Sequence, residues 1–220
     1  MIKKLPLLLI SILFSNLLFA QETPVFSPYY YQKKSLFEIL PDTNNEIIFL
    51  GNSITDGCDW SELFRNSNIK NRGISGDITD GILFRLDEVV RSNPNQIFIM
   101  IGVNDLSQNK SPDYVLTIYS KILLAIKEAS PKTQVFVQSI LPVNDGFGKF
   151  GNHTNKGAEI KQVNKQLASL ARNFNYSYID LTDAFSDKDG KLLKEYTNDG
   201  LHLTAAGYLA WKDEIKRFLK

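Results

Sequence analysis

The stretch that decides the fold is Glu46-Ile47-Ile48-Phe49-Leu50-Gly51-Asn52-Ser53, in which four apolar residues run directly into a polar turn. An uninterrupted apolar run suits a strand that is buried on both faces, because a strand with one solvated face would alternate apolar and polar residues. The serine that follows such a strand stands at the rim of the sheet. The stretch therefore predicts a central strand with Ser53 at its carboxyl end.

The same alternation continues along the chain. Further apolar runs cover residues 97–101, 134–140 and 176–179, with a weaker one near Ile69. Stretches with helical spacing of apolar residues cover 78–90, 112–129, 155–171 and 204–219. Thr204 is a candidate N-cap for the last of these helices. Strands that alternate with helices predict an α/β fold, a three-layer α/β/α sandwich around a five-stranded parallel sheet.

Composition narrows the class of protein before any motif is considered. The chain has 220 residues, which suggests one domain, and its 43% hydrophobic and 22% charged content is that of an ordinary globular protein. The 25 basic residues nearly balance the 24 acidic ones, so nothing resembles the basic surface of a nucleic-acid binder. The single cysteine, Cys58, has no partner for an intrachain disulfide.

The amino terminus has the pattern of an export signal. Residues 1–20 combine Lys3 and Lys4 with an apolar stretch from Leu5 to Phe19, and the small residue Ala20 precedes polar Gln21. The apolar stretch is shorter than the roughly 20 residues that a spanning helix needs. We therefore predict a signal peptide over 1–20, a secreted or periplasmic protein with no stable membrane insertion, a surface segment over 21–45 and the folded domain over 46–220.

Three polar clusters follow the first three predicted strands, over residues 51–57, 71–77 and 102–105. Ser53 in the first is either a nucleophile at the sheet's rim or a helix-capping serine. Gly73 and Gly76 in the second allow close backbone approach, so that an N–H could point at an oxyanion, although a flexible turn would use the same residues. Asn104 in the third could donate to an anion or cap a turn.

A fourth cluster near the carboxyl terminus reads Asn198-Asp199-Gly200-Leu201-His202-Leu203. A carboxylate three residues before an imidazole can hold the ring's Nδ1–H, which leaves Nε2 free to take a proton from a serine. The alternative is a surface histidine with an incidental Asp199 nearby. The chain has only two histidines, so this pairing is the strongest local indication of acid–base chemistry.

In this order the four clusters resemble the sequence blocks of the SGNH (GDSL) hydrolase superfamily, from about Glu46 to the carboxyl terminus. The resemblance implies a flavodoxin-like sandwich and a triad of Ser53, His202 and Asp199. It also implies an oxyanion hole formed by Ser53, Gly76 and Asn104, with Gly73 left as a backbone glycine. The sequence departs at two positions from the Gly-Asp-Ser-Leu motif that gives the GDSL group its name. Asn52 stands in place of the Asp, and Ile54 stands in place of the Leu.

The blocks look most like the branch of platelet-activating-factor acetylhydrolases and sugar acetylesterases. That resemblance implies a serine esterase that removes a short acyl group, expected to be acetyl, from a small-molecule or carbohydrate ester. A thioesterase or lipid acylhydrolase would use the same site, and a non-catalytic carbohydrate-binding protein on the same scaffold is the alternative of another class. The sequence leaves the oligomeric state open.

Other motifs are interpreted as structural. Gly146-Phe147-Gly148-Lys149-Phe150-Gly151 matches a dinucleotide-binding pattern, but residues 141–145 separate it from its strand. We expect a mobile loop there, with His153 as a solvated loop histidine. The calcium-loop-like residues 187–190 fit a tight turn, and Cys58 fits a small semi-buried side chain better than a rival nucleophile. The sequence therefore implies no metal and no cofactor.

Overall fold

The computed structural model describes residues 25–219, so the predicted signal peptide lies outside the described residues. Five strands form one sheet: β1 (Ile47–Gly51), β2 (Ile69–Gly73), β3 (Gln96–Met100), β4 (Gln134–Gln138) and β5 (Ser177–Ile179). Their order is β2-β1-β3-β4-β5, and every neighbouring pair is parallel. The predicted five-stranded parallel sheet is confirmed, and all five carboxyl ends lie at one edge.

Helices connect and cover these strands. The α-helices are α1 (Pro28–Ile39), α2 (Ser53–Asp56), α3 (Trp60–Phe64), α4 (Thr79–Phe84), α5 (Leu86–Val90), α6 (Val103–Ser107), α7 (Pro112–Ala129), α8 (Gly151–Thr154), α9 (Gly157–Asn173), α10 (Thr182–Phe185) and α11 (Ala205–Ile215). Short 3₁₀ helices cover Asp145–Phe147, Lys194–Tyr196 and Lys216–Phe218. Helices α4, α5 and α9 pack against α7, which gives the sheet one of its helical layers.

Aromatic side chains fill the core on the opposite face of the sheet. Phe49, Phe98 and Phe136 lie side by side on β1, β3 and β4, with ring centroids 5.1 and 4.6 Å apart. Trp60 of α3 stacks on Phe49 at 4.4 Å and meets Trp211 of α11 edge-on at 4.8 Å. Because large buried rings dominate packing energy, these contacts fix α3 and α11 against the sheet. The three-layer sandwich is thereby confirmed.

The predicted continuous helix over 78–90 is wrong, because it breaks into α4 and α5 at Arg85. The backbone of Arg85 leaves the helical region with φ −111°, and its guanidinium is fully buried. That group lies 2.9 Å from Asp77, 3.2 Å from Glu88 and 2.8 Å from the carbonyl oxygen of Arg72. A buried cation requires such partners, and the break lets one side chain reach three of them.

The first α-helix differs from the prediction, and the last begins where the sequence predicts. The segment before the sheet contains helix α1, which the sequence interpretation did not identify: Ser27 caps it by accepting from the Tyr30 N–H. Tyr30 and Phe37 are buried, and the Tyr30 hydroxyl donates to the carbonyl oxygen of Gly81 at 2.7 Å. Thr204 occupies the predicted N-cap position of α11, but its hydroxyl donates to the carbonyl oxygen of Glu195 and makes no capping hydrogen bond.

Candidate active site

Ser53 owes its position to the tight passage from β1 into α2. Asn52 is the N-cap of α2, and its Oδ1 accepts from the Ile54 N–H at 3.0 Å. The amide at this position, where the motif's name has Asp, therefore makes a capping bond that asparagine supplies as well as aspartate. Gly73 of β2 makes room for the turn, since a Cβ there would lie 2.2 Å from the Asp56 nitrogen. Ser53 is thus the first residue of a helix at the rim.

The structure brings Ser53 together with the two residues of the carboxyl-terminal cluster. The Ser53 Oγ lies 3.0 Å from the Nε2 of His202, although the two residues are 149 positions apart in the chain. The Nδ1 of His202 lies 2.8 Å from the Oδ2 of Asp199. A carboxylate at Nδ1 places the ring proton there, which leaves Nε2 as an acceptor for the hydroxyl proton. The three side chains form a continuous line of hydrogen-bond contacts.

The carboxylate of Asp199 is held by its own loop. Its Oδ1 accepts from the backbone N–H groups of Leu201 and His202, each at 2.8 Å. Partial burial by itself raises the pKa of Asp199, but the hydrogen bonds from the His202 ring and from these N–H groups hold that pKa below its ordinary value. Asp199 is therefore ionised at neutral pH and can orient the ring.

The glycine loop after β2 lies beside Ser53. The Ile74 N–H donates to the Gly51 carbonyl oxygen at 3.1 Å, which ties this loop to the end of β1. Gly76 has a φ of +82°, a left-handed conformation that favours glycine. Among residues 25–219, the backbone N–H groups of Ser53 and Gly76 have no hydrogen-bond acceptor. Both donors are thus available to a bound molecule.

Helix α1 supports the same loop through Asp56, at the end of α2. The Oδ2 of Asp56 accepts from the Ser75 N–H at 3.2 Å and from the Tyr29 hydroxyl at 2.8 Å. Its Oδ1 lies 2.9 Å from the Lys33 ammonium group. The segment before β1 is therefore linked through Asp56 to Ser75, the residue that precedes Gly76.

Asn104, the third predicted oxyanion donor, lies against the same loop. It is buried on α6, and its Nδ2 donates to the carbonyl oxygen of Asp77 at 2.8 Å. The next residue, Asp105, accepts from the backbone N–H of Thr79 at 3.0 Å and from its hydroxyl at 2.7 Å. Burial raises the pKa of Asp105, and the bonds from Thr79 oppose that shift. These bonds hold α6 against the start of α4, so that Asn104 faces the glycine loop.

The sequence interpretation of His153 as a solvated histidine is wrong. Its Nε2 lies 3.0 Å from the Oδ1 of Asn104. The ring of Phe150 stands edge-on to His202 at 5.0 Å and to His153 at 6.0 Å. Asn104 and His153 are 49 positions apart, and no local sequence pattern links them. The sequence therefore predicts a loop over 144–155 but not this contact.

The motifs that were interpreted as structural occupy unremarkable positions. Cys58 is buried, and desolvation together with the charge of Asp59 raises the pKa of its thiol to about 12, so it is not a thiolate at neutral pH. Asp187 closes a turn by accepting from the N–H groups of Asp189 and Lys191. Within residues 25–219, no group of three His, Cys, Asp or Glu side chains could hold a metal ion.

The fold and this site define a family of ester hydrolases. The profile of the GDSL-like Lipase/Acylhydrolase family matches residues 49–210 of the chain. This match spans most of the domain and contains every candidate residue described above. The chain belongs to the GDSL-like lipase/acylhydrolase family, as its sequence blocks predicted, and it is a hydrolase that acts on ester bonds.

Individual relatives agree with this assignment. The chain is 29% identical over 175 residues to platelet-activating factor acetylhydrolase IB subunit alpha1 of Homo sapiens, covering 76% of this chain and 72% of the relative. A solved structure of a candidate platelet activating factor from Streptococcus pneumonia superposes with a TM-score of 0.78 at 30% identity, over 87% of this chain and 91% of the other. A GDSL-like lipase from Bacteroides thetaiotaomicron superposes with a TM-score of 0.73 at 24% identity, over 86% of this chain and 96% of the other. This likeness shows the shared fold.

Proposed function

We propose that this hydrolase is a serine esterase in which Ser53, His202 and Asp199 act as a catalytic triad. The observation that carries the proposal is the unbroken line of contacts, 3.0 Å from Ser53 Oγ to His202 Nε2 and 2.8 Å from His202 Nδ1 to Asp199. A serine hydroxyl is a weak nucleophile at its own pKa and needs an adjacent base. His202 supplies that base, and Asp199 fixes its tautomer and stabilises the imidazolium.

The reaction then proceeds in two balanced halves. His202 takes the hydroxyl proton while Ser53 Oγ bonds to the ester carbonyl carbon, and the imidazolium returns that proton to the departing alcohol. In the second half, a water molecule gives a proton to His202 and attacks the acyl-enzyme. Collapse of that intermediate releases the acid and restores the Ser53 hydroxyl. The net reaction consumes one ester and one water and yields one acid and one alcohol.

The negative charge that develops on the carbonyl oxygen requires donors that are already in place. We assign this role to the backbone N–H groups of Ser53 and Gly76 and to the side-chain amide of Asn104. In support, the two backbone donors have no acceptor among residues 25–219, and Asn104 is bonded to Asp77, the residue after Gly76. Donors that are already fixed in place stabilise this charge more than water does, because they need no reorganisation during the reaction.

The proposed substrate is a short acyl ester, with acetyl as the preferred group. The relatives at 29% identity are named acetylhydrolases, and the sequence blocks resemble the branch that also contains sugar acetylesterases. We propose a carbohydrate as the alcohol on that resemblance and on the predicted export of the protein. Release of a chain that begins near Gln21 into the periplasm or medium would support export, and retention of the intact amino terminus in the cytoplasm would contradict it.

A panel of p-nitrophenyl esters of increasing acyl length tests the reaction, and acetylated sugars then test the alcohol. We expect the highest kcat/KM for the acetyl ester and acetate release from at least one acetylated saccharide. A preference for long acyl chains or for thioesters would indicate the lipid acylhydrolase or thioesterase alternative. Absence of turnover on every ester, with retained binding of saccharides, would contradict the enzymatic proposal.

A further inference from the structure

The amide of Asn104 is held at both of its ends. Its Nδ2 lies 2.8 Å from the carbonyl oxygen of Asp77, and its Oδ1 lies 3.0 Å from the Nε2 of His153. A backbone carbonyl only accepts hydrogen bonds, so the end that faces Asp77 must be the NH₂ group. The opposite end is then the carbonyl oxygen, which needs a donor. His153 must therefore carry a proton on Nε2.

This pair of bonds fixes where the remaining hydrogen of the amide points. One Nδ2 hydrogen is used by Asp77, and the other makes no hydrogen bond with any side chain or backbone group of residues 25–219. An amide held only at its nitrogen end could rotate about its last torsion, which is broad for asparagine. With the oxygen end also held, the free hydrogen keeps one direction. That direction determines whether Asn104 can donate to an oxyanion.

The loop that carries His153 is itself held in place. The Thr154 hydroxyl donates to the carbonyl oxygen of Lys149 at 3.1 Å, and the Lys156 N–H donates to that of His153 at 3.0 Å. Phe150, with a φ of +51°, places its ring against both imidazoles. A bulky residue at positive φ is costly, so the surrounding contacts must enforce it. The histidine is thus presented by a defined loop conformation.

His153 is also kept from acting as a cation. Partial burial lowers its pKa, and the charge of a protonated His202 lowers that pKa further. The contact with Asn104 requires a proton on Nε2, which the neutral Nε2–H tautomer supplies. The two histidines therefore differ in their partners, since His202 has a carboxylate at Nδ1 and His153 has an amide oxygen at Nε2.

We propose that His153 is a positioning residue that acts through Asn104, by fixing the side-chain amide so that its free N–H faces the oxyanion. This inference rests on the proposed function, in which Asn104 is an oxyanion donor. It assigns His153 no proton transfer of its own. It also gives the loop over 144–155 a defined role in turnover.

A double-mutant cycle on p-nitrophenyl acetate tests the inference. We expect His153→Ala to lower kcat by about 10- to 10²-fold with little change in KM, because misdirection of a donor affects the transition state more than substrate binding. In the Asn104→Ala background the same change should alter kcat less than twofold, since its target is already absent. His153→Gln should recover most of the activity, because its amide can donate from nearly the same place.

Asn152→Ala is the matched control, an exposed neighbour on the same short helix that should keep wild-type kcat. Equal losses from His153→Ala in the wild-type and Asn104→Ala backgrounds would overturn the inference, as would a His153→Gln variant as inactive as His202→Gln. Thermal unfolding of every variant separates a folding defect from these outcomes. An Asn104→Ala enzyme with unchanged kcat would instead contradict the proposed oxyanion hole, so the two failures are distinguishable.

Discussion

The two ends of the parallel sheet differ in the side chains that they bring together, and the size of a cavity does not reveal this difference. At the amino end of β4 and β5, a cavity of about 550 Å³ is lined by aromatic rings, amides and two cations, Lys127 and Arg217. At the carboxyl end, Ser53, His202 and Asp199 form a line of hydrogen-bond contacts, and His153 lies within hydrogen-bond distance of Asn104. Convergent polar groups, rather than concave volume, therefore mark the candidate site in this molecule.

The physical basis of this difference is the direction of the strands. Parallel strands place the loops that follow them at one edge, where chain segments far apart in sequence meet. Ser53 and Gly76 follow β1 and β2, and Asn104 follows β3. The amino end of the sheet receives the returning helix ends instead, and among residues 25–219 no histidine or carboxylate lines its cavity.

Ser53→Ala should have the largest effect. Loss of the nucleophile removes the acyl-enzyme route, and we expect kcat on p-nitrophenyl acetate to fall by about 10⁴-fold or more. Steady-state kinetics measures this, with thermal unfolding to show that the variant is folded. Near-normal ester hydrolysis by Ser53→Ala would show that the reaction does not depend on Ser53 at this edge of the sheet.

Asp199→Asn should lower kcat by about 10²- to 10⁴-fold, because an amide favours the wrong tautomer of His202. The same variant should show a pH effect on stability. Folding lowers the pKa of Asp199, so its carboxylate contributes stability above its unfolded pKa of about 3.9, and that contribution is lost as the pH falls through the folded value.

Urea unfolding of the wild type and of Asp199→Asn across pH 3 to 7 measures this second effect. We expect the wild type to lose stability more steeply than the variant at the acid end. Parallel pH profiles for the two proteins would show that the His202 ring and the neighbouring N–H groups do not stabilise the charged form.

Asn104→Ala should leave a slow but measurable esterase. Removal of one oxyanion donor costs about 10²- to 10³-fold in kcat, while the nucleophile and base stay in place. The comparison of kcat and KM checks this, since a transition-state donor should change kcat most. A variant that loses substrate binding and keeps kcat would place Asn104 in the substrate pocket instead.

Arg217→Ala and Lys127→Ala should have the smallest effect. Both cations line the cavity at the amino end of the sheet, away from Ser53, and we expect kcat/KM to stay within about twofold of wild type. The same ester assay measures this. A tenfold loss in either variant would show that the two ends of the sheet are coupled, and the contrast between them would fail.

Local sequence patterns are sufficient to predict the sheet and the four polar clusters that form the candidate site. The apolar runs mark buried strands, and the polar residues directly after them must lie at the carboxyl edge. Helix α1 lies in the stretch that the sequence predicts only as a surface segment, although Ser27 and Pro28 form a helix N-terminal signal. The break at Arg85 could not be predicted, since it depends on partners that only the folded chain brings together.

The contact between His153 and Asn104 was beyond sequence reasoning for the same cause. Its two residues lie on separate helices, α6 and α8, and no local sequence pattern links one to the other. The contact between Asp56 and helix α1 likewise joins segments whose sequences are independent. Strand positions follow from local composition, whereas these hydrogen bonds follow from tertiary packing.

Labelling with a fluorophosphonate probe, followed by peptide mass spectrometry, tests the central claim most directly. If His202 activates Ser53, the wild-type protein should carry one adduct on the peptide that contains Ser53, and His202→Gln should carry almost none. Reaction at another residue, or equal labelling of the His202→Gln variant, would contradict the proton transfer between these two side chains.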